Sequence, residues 1–165
     1  RRRNSMYRLT WRIAKDQLKI IEGAKVRRFP AKSKVQRRTN ISYALIGSMK
    51  AEFIVLKQNR RIRFNEDDMR YLSNLKRISH DNLAPLIGIN FNDIDKFYIL
   101  NMLVDRASLD ELISDVDFSM DNTFKSAFIR DIVRGLSYLH KTAIGFHGLL
   151  NTETCLIDGN WVSHL

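Results

Sequence analysis

The spacing of apolar and polar positions changes several times along the chain, and each change predicts an element. Residues 41–48 and 51–58 are apolar runs of strand length joined by a short turn near Met49 and Lys50, which predicts a β-hairpin. Residues 65–78 shift to helical spacing. Met69, Leu72, Leu75 and Ile78 line one side, Asn65 can cap the first turn, and Glu66 to Asp68 suit the positive end of the helix dipole. Residues 82–91 and 96–104 read as two further strands, with turn formers from Asn92 to Asp95 between them. Ser108 and Glu111 hold the reciprocal positions of a capping box and open a short helix. The strongest helical pattern covers residues 122–140, where Phe124, Phe128, Ile132, Leu136 and Leu139 share a face with Ile129 and Val133 beside it. Short apolar runs on either side of Asp158, Gly159 and Asn160 predict a late hairpin. This order is that of an α+β protein with a small sheet-rich lobe followed by a helical one.

Composition changes this picture little, but the location of charge changes it a good deal. With 165 residues, 44% of them apolar, the chain is long enough for one domain with a real core. No run reaches the eighteen or more apolar residues of a spanning helix, and the basic N-terminus lacks the apolar run of a signal peptide. A single cysteine, Cys155, excludes an internal disulfide and reads as a small packed hydrophobe. The net charge of +10 is confined to one segment: residues 1–40 hold 14 Lys and Arg against only Asp16 and Glu22, a net of +12. No zinc spacing, aromatic RNA-binding motif or helix-turn-helix accompanies that charge, so no nucleic-acid partner is expected. An anionic membrane surface or a solvated tail are the readings that remain.

Several stretches, in order and at the right spacing, resemble a protein kinase. "FIVLK" (53–57) matches the strand motif V-A-I-K, "HDNLAPLIG" (80–88) follows the first helix as His-x-Asn-Leu does, and "YILNMLVDRASLDELI" (98–113) resembles the last small-lobe strand, the hinge and the next helix. "IVRGLSYLHKTAIGFHGLL" (132–150) resembles the long helix and the catalytic loop. A finer resemblance is to the kinase homology domain of receptor guanylate cyclases, especially the nematode-like receptors. It rests on "HGLLNTETC" (147–155), on "IGSMKAEFIVLK" (46–57) and on Trp11, Arg12 and Ile13. What the resemblance implies is a protein-kinase-like fold with a complete small β-rich lobe and the first part of the helical large lobe, truncated before the Asp-Phe-Gly position. Residues 1–40 would be a basic juxtamembrane segment, and residues 41–165 a partial pseudokinase domain.

Set against the kinase pattern, the loop lacks its chemistry. The proton-accepting aspartate falls on Leu149, the metal-holding asparagine on Thr154 and the loop lysine on Asn151, with His147 in a bracing position. No catalytic or metal-binding residue is therefore expected, and no cofactor is required. Tyr71 stands where the glutamate partner of Lys57 belongs, with Asp67 and Asp68 a turn away, and no glycine lies between Gly23 and Gly47 to form a phosphate loop. The resemblance implies Lys57, Asn101, Met102 and Leu103 as nucleotide-facing residues for ATP as an allosteric ligand. An ordinary strand-end lysine and plain apolar packing are the competing readings. The implied role is regulatory: on the cytoplasmic side of the plasma membrane, in a homodimer, the segment would relay receptor state to a same-chain cyclase domain that makes cyclic GMP from GTP. A free-standing pseudokinase scaffold is the alternative.

Overall fold

The computed structural model describes residues 9–21 and 42–165, which divide into two compact units. The first takes in Ser42–Ile78 and Pro85–Leu103 together with the described part of the N-terminal segment. The second takes in Ser79–Ala84 and Val104–Leu165.

The first unit is built on five antiparallel strands: β1 (Leu18–Ile21), β2 (Tyr43–Ile46), β3 (Met49–Lys57), β4 (Leu86–Asn90) and β5 (Lys96–Met102), ordered β1-β2-β3-β5-β4. The hairpin turn falls on Gly47 and Ser48, two residues before the position expected from the sequence. Gly47 takes φ +59° as the first central residue while Ser48 stays at negative φ, the pattern of a type II′ turn, whose twist suits the flanking strands. Helix α1 (Glu66–Arg77) starts as expected. The Asn65 side chain accepts from the Asp68 N–H at 2.8 Å, and the Asp68 carboxylate accepts from the Asn65 N–H at 2.9 Å.

The two sheet faces carry separate apolar clusters. On one face Met69, Leu72 and Leu75 of α1 pack over Leu86, Ile89, Phe91, Phe97 and Ile99. On the other, Ile13, Ala44, Ala51, Phe53, Tyr98 and Leu100 form the core. Residues 9–21 belong to this unit: Arg12 bridges to Ile89, a single 3₁₀ turn covers Lys15–Gln17, and β1 pairs with β2. The packed unit thus begins well before the point where the composition changes.

In the second unit β6 (Ala107–Ser108), β7 (Leu156–Ile157) and β8 (Ser163–His164) form a small antiparallel sheet beside helices α2 (Leu109–Ser114) and α3 (Asn122–Leu139). Ser108 and Glu111 make the expected capping box, and Asp121 caps α3 by accepting from the N–H groups of Thr123 and Phe124. Ala107, Leu112, Phe128 and Ile157 are the buried centre, ringed by Leu109, Phe118, Met120, Phe124 and Trp161.

Two expectations are corrected here. Ile129 and Val133 are 62% and 57% exposed, so the buried stripe of α3 is narrower than its apolar pattern. Residues 82–85, expected to begin a strand, lie outside β4. Instead the Asn82 side-chain amide donates to the Ser163 carbonyl at 3.1 Å, the Leu165 N–H donates to the Asn82 carbonyl at 3.1 Å, and the Ala84 N–H donates to the Leu165 carbonyl at 2.7 Å. These bonds commit residues 82–84 to the second unit, ahead of the true start of β4 at Leu86.

Candidate functional site

In the second unit the catalytic-loop region, residues 146–155, closes on itself through hydrogen bonds. The Asn151 side chain accepts from the N–H groups of Glu153 and Thr154, both at 2.9 Å. Thr154 answers by accepting from the Asn151 N–H at 3.0 Å and donating its hydroxyl to the Leu149 carbonyl at 2.8 Å. This is the local side chain to backbone bonding that Asn and Thr favour in turns. The Thr152 hydroxyl donates to Asp110 at 2.8 Å and the Asp110 N–H donates to the Thr152 carbonyl, so the loop is tied to α2.

The side chains that would do chemistry are absent or engaged. Leu149 is 67% exposed and offers no group that could accept a proton. The Asn151 and Thr154 oxygens are occupied in closing the loop. His147 is half-buried, its Nδ1 accepting from the Leu149 N–H at 3.4 Å, and burial pushes its pKa below the usual imidazole value. Cys155 is buried, and burial raises its thiol pKa, which favours an unreactive thiol. Among the described residues no three His, Cys, Asp or Glu side chains converge as a metal site would need.

In the first unit the candidate nucleotide residues fall on β3 and β5, and register decides which way they face. Lys57 pairs with Lys96 and Asn101 pairs with Glu52. Paired residues share a face, and alternate residues along a strand change face. Lys57 therefore lies on the face of Phe53 and Tyr98, while Asn101 lies on the face of Ile99 and Leu86 that α1 covers. Five register steps separate them as well, about 16 Å along the strand at ~3.3 Å per residue. The structure does not bring Lys57 and Asn101 into one site.

Lys57 borders a hollow of about 440 Å³ with Phe53, Val55, Asp95, Lys96 and Tyr98. The acids considered as its partners are held elsewhere: Asp68 by the Asn65 N–H and Asp67 by Arg70 at 2.8 Å. Tyr71, at the position of the missing glutamate, is half exposed and lines a separate groove with Ile62, Arg63 and Phe64. At the other end of β5 the Met102 N–H donates to the Pro85 carbonyl at 3.0 Å, so it is already bonded; Leu103 is half-buried. The position of a phosphate loop, between β1 and β2, lies outside the described residues.

Comparison with known proteins decides what this arrangement descends from. A sequence profile described as protein tyrosine and serine/threonine kinase matches residues 45–164. The chain belongs to the protein kinase family. It is 47% identical to the receptor-type guanylate cyclase gcy-10 of Caenorhabditis elegans over all of its own length and 17% of that protein's. It is 45% identical to gcy-27 of the same organism, over 94% of this chain and 23% of the relative, and 35% identical to gcy-23, over 94% and 15%. The resemblance to the kinase homology domain of receptor guanylate cyclases is borne out, and so is the kinase-like α+β fold. The chain spans under a quarter of the length of these curated relatives. Among the described residues no helix is long and apolar enough to cross a membrane.

Sequence reasoning missed two features. One is the facing of Lys57, which depends on register. The other is the packing of Trp11 and Ile13 against β4, for which the alternation of Leu9, Trp11 and Ile13 was an available signal.

Proposed function

We propose that this chain is a regulatory kinase-homology segment of a receptor guanylate cyclase. It acts on the cytoplasmic side of the membrane, in a homodimer, and relays receptor state to a cyclase domain that makes cyclic GMP from GTP. Kinship with receptor-type guanylate cyclases supports the setting. The observation that carries the regulatory reading is the closed loop: Asn151 and Thr154 bond to the backbone and to each other's turn, and Leu149 stands where phosphoryl transfer needs a carboxylate. A chain of this kind works by having two states that its inputs bias differently.

ATP is proposed as a modulating ligand rather than a substrate. Its support is the family resemblance of Lys57, Asn101, Met102 and Leu103, since Asn101 lies on the sheet face opposite Lys57 and the Met102 N–H is bonded to the Pro85 carbonyl.

The deciding experiment pairs two assays. The purified chain, given ATP, magnesium and generic protein substrates, is expected to transfer no phosphate above a Lys57→Ala control. In the receptor, replacing this segment with an inert linker is expected to abolish ligand-dependent control of cyclic GMP output while leaving the cyclase domain able to act. Lys57-dependent turnover, or unaltered ligand control without the segment, would sink the reading.

A further inference from the structure

In the N-terminal segment of the first unit, one residue reaches both the edge of the sheet and the approach to helix α1. Trp11 has no exposed surface. Its carbonyl accepts from the Ile89 N–H at 2.7 Å, the Ile13 N–H donates to the Ile89 carbonyl at 3.0 Å, and the buried Asn90 amide donates to the Ile13 carbonyl at 3.1 Å. A short parallel bridge centred on Arg12 thereby lines the edge of β4.

Gly88 makes that approach possible. A Cβ there would meet the Trp11 carbonyl oxygen at 2.6 Å and the Ile13 side chain at 2.7 Å, so only hydrogen fits. On its other side the indole ring of Trp11 meets Phe64 edge-on at 5.2 Å and Phe91 at 6.0 Å. Phe64 immediately precedes Asn65, the cap of α1. Trp11 thus holds β4 through its backbone and the threshold of α1 through its ring.

The joint also carries a cost. The Trp11 indole N–H is buried without a hydrogen-bond partner. A donor in that condition forfeits its hydration and gains nothing in return, a penalty that release would remove.

We infer that the segment from Leu9 to Ala14 is a removable strap, and that its seating over Gly88 is coupled through Trp11 and Phe64 to the first turn of α1. When the strap is seated, Phe64 is fixed and the Asn65 cap holds. When the preceding chain draws the strap out, Phe64 keeps Phe91 on one side at 5.1 Å but loses Trp11 at 5.2 Å, so the cap loosens and the first turn of α1 frays. The first turn of α1 is the element with two states, and a pull on the strap from the chain before it is the input that biases it. The coupling lies within this chain. Only its use as the receiving end of a receptor relay rests on the proposed function, so failure of that relay and failure of the strap are separately visible.

The test is amide hydrogen exchange on the whole chain with Gly88→Ala. Exchange at Ile13 and Ile89 is expected to quicken by about tenfold, the effect of an overpacking strain of this kind, and the amides of Asp68 and Met69 should quicken with them. The Phe53 amide, which donates to the Ser42 carbonyl at the β2–β3 end of the sheet, should keep its protection. Trp11→Ala removes the ring from Phe64 while leaving Gly88 in place, so it should quicken exchange at the strap and at Asp68 and Met69 together. An opened strap with unaltered protection at Asp68 and Met69 would overturn the coupling. Unaltered Ile13 and Ile89 in Gly88→Ala would overturn the slot argument. Loss of protection everywhere, Phe53 included, would show the strap to be ordinary core and would overturn its independence.

Discussion

Lys57 stands directly opposite Lys96 across β3 and β5, and among the described residues no carboxylate pairs with Lys57. Like charges in opposed positions on one face repel. Lys57→Glu should convert that repulsion into attraction and raise the unfolding midpoint by no more than a few degrees, because the site is exposed and screened. Thermal denaturation with and without added salt checks this, and the gain should shrink as salt rises. A lysine required for the fold through a hidden partner would instead lower the midpoint when reversed.

Asn151→Ala removes the acceptor for two backbone donors in the degenerate loop. The expected loss is about 0.5–2 kcal/mol, the range for removing a capping side chain. Its signature is local: faster amide exchange at Glu153 and Thr154 with α3 unaffected. Denaturant titration gives the size and exchange gives the place.

Two groups in the second unit make its stability decline in acid, in separate windows. His147 titrates lower in the folded chain than its ordinary value of 6.5 because burial disfavours the imidazolium. Below about pH 6.5 the unfolded chain therefore binds a proton that the folded chain refuses, and stability falls as pH falls. Asp158 behaves alike at lower pH. Burial opposes its ionisation, but hydrogen bonds from His164 and from the Val162 and Asn160 N–H groups outweigh that, so its carboxyl sits below 3.8. Its contribution is complete above that value and is lost as pH drops through the folded pKa. His147→Gln should flatten only the first window and Asp158→Asn only the second, as read from unfolding midpoints against pH.

Gly135→Ala reverses a usual rule. Ala in a helix interior ordinarily stabilises relative to Gly, yet a Cβ at this buried position on α3 would stand 2.7 Å from the Asn82 carbonyl oxygen. A loss of about 1–3 kcal/mol is expected. Gly159→Ala, with nothing within 4 Å of its new Cβ, should be close to neutral. Comparing the two variants by urea denaturation separates steric conflict from a general intolerance of change.

Association with anionic vesicles is the remaining expectation. It should rest on the basic residues at 1–3 and 25–38, which lie outside the described residues, at about 1 kcal/mol for each one placed near the lipid surface. Deleting residues 1–40 would also remove β1 and the Trp11 bridge, so neutralising those basic residues is the cleaner variant. Co-sedimentation that persists at high salt, or survives neutralisation, would show that this charge is not what binds.

How much of this was legible beforehand depended on whether the signal was local. Asn65 with Asp68 and Ser108 with Glu111 sit within one helical turn of each other, and both helix starts could be read from residue type alone. The missing carboxylate at Leu149 was equally plain. The facing of Lys57 was not, because a motif match fixes position along a strand but not pairing across it, and an odd shift in register exchanges the two faces. Trp11 was obscured differently. Charge summed over forty residues gave that region the look of a solvated tail, although its apolar residues alternate as a strand's do. The bonds of Asn82 to Ser163 and Leu165 had no local signature at all.

Those last bonds have a consequence in time. The Asn82 side chain and its acceptor at Ser163 are 81 residues apart in the chain. At a synthesis rate of about 5–20 residues per second, a ribosome that has made Asn82 needs roughly 4–16 s more to make the strand that completes it. Throughout that interval the Asn82 amide has only water to bond, and the carbonyl against which Gly135 packs has no fixed place. The Trp11 carbonyl of the first unit waits almost as long for the Ile89 N–H, so in each unit the delay itself is a period in which a nascent chain is exposed to capture by chaperones or to aggregation.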